Sequence, residues 1–239
     1  MLAISRSLAS LACALPLFVS TATLVVALAA QPVDTTAADK QVLEVFAQTN
    51  GKDQVSVLLR CGATSSAADG LKAKQPGNYL IISGDLTLEN NQPVVFLRSF
   101  CEVPADVYIN EVTVVGRLVG EAKVADSNKS ARRSIAVSRW SNGEETTDWF
   151  TVRGYGYQMD KLLSAPKGSL VAITGSIEQR TNRDGQPYAE LKGRNIRVYE
   201  RGRGDATAPN MAAGTKAYGY EHKDFDSPLE SMPGDWSNG

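Results

Sequence analysis

Three large rings, Trp140, Trp149 and Tyr155, stand close to Arg139 and Arg153 in a segment otherwise rich in Val, Ile, Thr and Gly. Side chains of a strand alternate between its two faces, so Trp149, Arg153 and Tyr155 share one face if this segment is extended. Rings beside guanidinium groups supply flat π surfaces for stacking and positive charge for phosphates, the combination that a single-stranded nucleic acid takes. Taken singly, each of these rings reads as barrel core, since a Trp in a β-barrel is buried more often than it binds a ligand. Their pairing with Arg on one face favours a ligand, and Trp140 directly precedes Ser141-Asn142-Gly143, a turn where a core ring is not expected. Arg117, Arg132, Arg133, Arg139, Arg153, Lys192, Arg194 and Arg197 are the candidate phosphate contacts. Tyr157 and Tyr188 are further rings within reach of the same region.

Other chemistries find little support. Cys13, Cys61 and Cys101 are too few for a disulfide framework, and none stands at metal-ligand spacing from another Cys or a His. The one histidine, His222, lies in a polar segment, which excludes a His-based triad and argues against a zinc site. A carboxylate pair for acid/base work stays open, although no motif suggests one. We therefore expect no enzyme, no cofactor and no metal.

These side chains have to be positioned by strands. The stretch opens Asn110-Glu111-Val112-Thr113-Val114-Val115-Gly116-Arg117-Leu118, passes through Trp140 and Asp148-Trp149-Phe150, and closes on Lys167-Gly168-Ser169-Leu170-Val171-Ala172-Ile173-Thr174-Gly175. It resembles the OB-fold of the bacterial and mitochondrial single-stranded DNA-binding protein family. The resemblance implies a five-stranded Greek-key barrel, with bases stacked on aromatics from the second and third strands and the following hairpin. The aromatic it implies near Arg180 to Thr181 is absent, and Tyr157 and Tyr188 are possible substitutes.

The same punctuation occurs twice along the chain. Thr23–Ala27 reads like Val112–Gly116, Thr49-Asn50-Gly51 like Ser141-Asn142-Gly143, and Val57–Gly62 like Thr151–Gly156. Gly77–Gly84 reads like Gly168–Gly175, and Asn91–Leu97 like Gly185–Leu191. Each unit predicts strand, strand, strand, short helix and hairpin, with Asn-Gly and Asp-Gly at turns. The fold class is all-β, two tandem five-stranded OB-fold barrels, each with a short helix. The predicted organisation is a targeting segment at 1–20, a degenerate barrel at 21–107, a second barrel at 108–200, and a disordered acidic tail at 201–239.

The first 33 residues hold no acid and one base, Arg6, among serines. This composition suits an organellar transit peptide. Its rivals are a secretory signal cut after Ala29 or Ala30 and a membrane span from Leu8 to Ala30. The repeat favours organelle import, in a mitochondrion or else another organelle such as a plastid, because a cut at Ala29 or Ala30 removes the opening strand of the first barrel. The tail offers acid beside aromatic at Asp224-Phe225-Asp226 and Asp235-Trp236, yet ends Ser237-Asn238-Gly239. That ending lacks the hydrophobic tip by which bacterial relatives dock partner proteins.

Charge separates the two units. Residues 108–200 carry 14 Lys+Arg against 11 Asp+Glu, whereas 21–107 carry 6 against 9. In the first unit, Gln48, Val55 and Cys61 stand where the second has Trp140, Trp149 and Tyr155. The expected function is therefore single-stranded DNA binding by the second barrel, in organellar DNA replication or repair. The alternative is a structural OB-fold subunit of an organellar ribonucleoprotein or RNA-processing assembly, such as mitochondrial RNA editing, acting through protein contacts. Partners expected are single-stranded DNA or RNA and a second copy or other OB-fold proteins, with no membrane. Stacking alone does not separate DNA from RNA.

Overall fold

The computed structural model describes residues 19–199 except 38, 52–53, 142–143 and 183–184, and omits the side chains of Trp140, Ser141 and Glu144. Nearly all of the predicted targeting segment and tail lie outside these residues. The chain from Val19 to Glu102 forms β1 (Val19–Leu28), β2 (Val33–Ala37), β3 (Lys40–Thr49), β4 (Ser56–Gly62), α1 (Ser66–Lys72), β5 (Tyr79–Glu89) and β6 (Gln92–Glu102). From Asn110 it forms β7 (Asn110–Val124), β8 (Ser130–Ser141), β9 (Glu144–Tyr155), α2 (Tyr157–Ser164), β10 (Leu170–Thr181) and β11 (Pro187–Tyr199).

Each half closes on itself. In the first, β1 pairs with β5 and β3, β5 with β6, β6 in parallel with β4, and β4 with β3. In the second, β7, β10, β11, β9 and β8 close in the same order, again with one parallel contact, between β9 and β11. Closure leaves no free edge around either barrel. The predicted five strands per barrel hold, and the extra strand has a local cause. β1 and β2 together correspond to the single long β7, and the break between them carries Pro32, which cannot donate to a ladder. The Thr23–Leu28 run is therefore strand, contrary to a helical span from Leu8 to Ala30.

The barrels are joined through their first strands. β1 and β7 pair antiparallel from Val19↔Val115 to Leu24↔Asn110, and Ala22↔Val112 lies at the centre of a two-fold relation between the halves. Equivalent positions repeat the same device: Ser20 Oγ donates to the Leu86 carbonyl, and Asn110 Nδ2 to that of Ile177. Both fifth strands bulge, at Arg98 and Arg194, opposite a glycine of the fourth, Gly84 and Gly175, where a Cβ would collide with the carbonyls of Phe96 and Lys192. The connector is tied back by Asn50 Nδ2, which donates to the carbonyls of Ala105 and Val107, each at 2.8 Å.

Inward residues of both barrels make one apolar core. Leu24, Leu43, Leu59, Ile82 and Leu86 fill the first, and Val114, Ile135, Phe150, Ile173 and Ile177 the second, with Leu71 of α1 and Leu162 of α2 closing one end of each. Burying each such side chain contributes about 1.5–3 kcal/mol. The alternation that buries Phe150 and Val152 is what exposes Trp149 and Tyr155.

Candidate nucleic-acid interface

The outer face of β7, β8, β9 and β11 is built in transverse rows. Lys123 pairs with Arg132, Arg132 with Arg153, and Arg153 with Lys192, so four cations cross four adjacent strands in one line. On one side the row Arg117, Ala136 and Trp149 runs parallel to it; on the other Ser130 faces Tyr155. Trp149 is 58% and Tyr155 40% exposed. Six residues of strand separate these rings by roughly 20 Å, with the cation row between them.

The row leads into an open groove of about 730 Å³ between the β7–β8 and β10–β11 hairpins. Its walls include Lys123, Asp126, Arg132, Arg153, Asn182 and Tyr188. Tyr188 pairs with Arg180, so it stands across the hairpin from the position where a further ring was sought. Lys123 is absent from the sequence-predicted contacts. Its signal is the register of β7 against β8, which cannot be read before the hairpin length is known.

The cations differ in their surroundings. Arg153 is held bidentate by Glu190, Nε to Oε2 at 2.7 Å and Nη2 to Oε1 at 3.2 Å, and Nη1 donates to Ser130 Oγ. Those bonds raise the guanidinium pKa above its ordinary value against the effect of burial. Lys192 Nζ lies 3.1 Å from Glu178 Oε1 and 5.9 Å from the centre of the Tyr155 ring. Arg132 is exposed, and among the described residues neither it nor Lys123 has an ion pair.

The other predicted contacts lie elsewhere. Arg133 is buried and donates to the carbonyls of Gly120, Leu162 and Ala165, so it secures α2 against β7 and presents nothing to solvent. Arg139 pairs with the buried Asp148 at 2.8 Å; burial pushes that carboxyl pKa up while Arg139 draws it down. Arg117 donates to the Gly168 carbonyl, and Arg194 to those of Asn110 and Gly175 beside the bulge. Arg197 lines a separate cleft with Lys161 and Tyr199. Tyr157 opens α2, exposed, with Lys161 Nζ 4.6 Å from its ring centre. The backbone of Trp140 pairs with Glu145, and its side chain lies outside the described residues.

This strand face, flanked by two hairpins, is the surface with which OB-folds hold oligonucleotides. The model of the single-strand binding protein family matches residues 109–197. That match spans the second barrel, 89 of the 239 residues. A deletion mutant of the single-stranded DNA-binding protein from Thermus aquaticus superposes with TM-score 0.59 at 11% identity, covering 82% of this chain and 100% of that one. The tandem arrangement is thus shared with a solved fold across both barrels. The mitochondrial single-stranded DNA-binding protein Rim1 of S. cerevisiae matches at TM-score 0.33 and 20% identity over 39% of this chain and 98% of its own. The Plasmodium falciparum protein solved with single-stranded DNA matches at TM-score 0.33 and 23% identity over 40% of this chain and 98% of its own. No curated protein matches the chain.

In the first barrel the equivalent face reads differently. The row is Val33, Glu44, Arg60 and Phe96 in place of Lys123, Arg132, Arg153 and Lys192. Beside it Phe46, half exposed, pairs with Leu58. The ladders also refine the repeat. Trp149 corresponds to Ser56 and Tyr155 to Gly62, one position from the Val55 and Cys61 of the sequence comparison, which point inward. The contrast with the ring-bearing barrel survives this one-residue slip.

Proposed function

We propose that the protein binds single-stranded nucleic acid, DNA foremost, along the outer face of β7, β8, β9 and β11. Bases stack on Trp149 and Tyr155, with Trp140 and Tyr188 extending the path. Phosphates follow the cation row, with Lys123 and Arg132 as its open members. The observation that carries this reading is the line of four cations set between two exposed rings on one face. Stacking contributes about 1–3 kcal/mol per base and tolerates any base.

The cellular setting is an organelle, a mitochondrion in the first instance, with a role in DNA replication or repair. The acid-free start supports import. Removal of the leader ahead of Val19 fits the place of β1, which pairs with β3, β5 and β7. A second reading, a structural subunit of an RNA-processing assembly, draws on the first barrel, whose outer face offers Phe46 and Val33 to a protein partner. A second copy of the chain is the simplest such partner.

Binding of the mature chain to oligo-dT and oligo-U across a salt series, beside a Trp140→Ala/Trp149→Ala double variant, tests the proposal. Tight, salt-sensitive binding that collapses in the variant is expected. Undetectable binding at low salt leaves the protein-contact reading in its place. Mass spectrometry of the mature N-terminus tests the import reading, which a start at Ala30 or Gln31 defeats.

A further inference from the structure

The proposed interface contains two carboxylates that a phosphate-binding face does not call for. Glu190 is 2% and Glu178 7% exposed, and they face each other across β10 and β11 under the cation row. Three cations converge on them. Arg153 is bidentate to Glu190, Lys192 reaches Glu178 Oε1 at 3.1 Å, and Arg180 Nη2 reaches Glu178 Oε2. Arg180 Nε, buried without a hydrogen-bond partner, lies 3.8 Å from Glu190 Oε2. Buried carboxylates held this way do not release their partners cheaply, because a carboxylate stripped of its cation stays desolvated.

We infer that Glu178 and Glu190 are positioning residues that neutralise Arg153, Arg180 and Lys192, so that the salt dependence of strand binding on this face comes from Lys123 and Arg132 and not from the whole cation row. The inference rests on the single-strand binding proposed above. Each phosphate neutralised on a single strand contributes a slope of about −0.7 to log Kobs against log[salt]. Arg132 therefore contributes one such increment and Lys192 none. The fixed cations serve instead as the rigid floor on which Tyr155 is held, with Lys192 Nζ near its ring.

Salt titrations of the full chain on oligo-dT, read by fluorescence anisotropy, test this. Arg132→Gln flattens the slope by about 0.7, and Lys192→Gln leaves it unchanged. Glu178→Gln releases Lys192 and Arg180 and steepens the slope by about 0.7–1.4, with tighter binding at low salt. Both cations replaced in the first pair are exposed, so those variants keep the comparison valid even where Glu178→Gln fails to fold. Equal flattening by Arg132→Gln and Lys192→Gln overturns the inference, as does an unchanged slope in folded Glu178→Gln. Binding of wild type with either of those outcomes leaves the proposed function standing; absence of wild-type binding removes both.

Discussion

Arg60 and Arg153 occupy the same position in the two barrels, on the third strand beside the parallel contact to the fifth, and they keep opposite company. Arg60 is paired by Glu44 and Glu89, which stand where the second barrel has Arg132 and Arg180. Arg153 is paired by Glu190, where the first barrel has Val94. One barrel thus turns acid and apolar residues outward around a neutralised Arg, and the other sinks its acids and leaves bases at the rim. An identical scaffold presents opposite surfaces because strand alternation fixes the core while leaving the outward positions unconstrained by packing.

The sharpest way to break this comparison is to remove each Arg. Arg153→Met strands Glu190 in the sheet without its bidentate partner, and a loss of about 3–5 kcal/mol is expected, toward the lower end because Arg180 is close. Arg60→Met leaves carboxylates whose side chains are 23% and 40% exposed and reach water, so about 1 kcal/mol is expected. Urea unfolding midpoints of the two variants decide it. Equal losses would show that the two pairs are energetically the same device.

The rings come next. Trp149→Ala and Tyr155→Ala should each weaken oligonucleotide binding by about 1–3 kcal/mol, which is about 5- to 150-fold. Phe46→Ala, on the equivalent face of the first barrel, should leave binding unaltered. Loss of affinity in Phe46→Ala would mean that the strand crosses both barrels. Structural economy makes the reverse comparison for the shared bulge: Gly84→Ala and Gly175→Ala should cost about the same, roughly 1–3 kcal/mol, because each Cβ meets a backbone carbonyl that cannot move alone. A large difference in thermal unfolding between them would show that one bulge is less constrained than the symmetry implies.

How much of this was readable in the sequence follows from what strand periodicity encodes. The tandem barrels, the common face of Trp149, Arg153 and Tyr155, and the lack of rings at the matching positions of the first barrel follow from period-two alternation and repeated glycines. Arg133 defeated the same logic because one basic residue beside another carries no mark of which points inward; the three carbonyls that satisfy it belong to β7, to α2 and to Ala165 just beyond it. Glu178 and Glu190 were not readable as partners, since their meeting depends on the β10–β11 register. That hairpin pairs out to Thr181↔Pro187, while β5–β6 turns at once over Asn90 and Asn91, so Pro93 and Pro187 are not equivalent despite similar flanking residues. The β8–β9 ladder likewise runs past Ala136↔Trp149 to Ser141↔Glu144, beyond the level at which β3–β4 stops at Gln48↔Ser56. The extension that carries Trp140 therefore has no ladder counterpart in the first barrel.

The smallest expected effect concerns the inner side of the same third strands. Cys61 corresponds to Gly154, where an added Cβ would press on the backbone of Gln158 and Met159 in α2. α1 leaves room for a thiol where α2 leaves none. Cys61 is buried, and burial pushes its thiol pKa up, against a hydrogen bond with Ser65 and the charge of Lys72. Since the thiolate is the reactive form, Cys61 should resist alkylation in the folded chain while the exposed Cys101 is modified. Peptide masses after brief treatment with iodoacetamide at neutral pH should show label on Cys101 first, with Cys61 labelled only as urea unfolds the barrel. Labelling of both at the same rate in native buffer would mean that α1 opens freely from the first barrel, and that the two helices differ in how firmly they close their barrels.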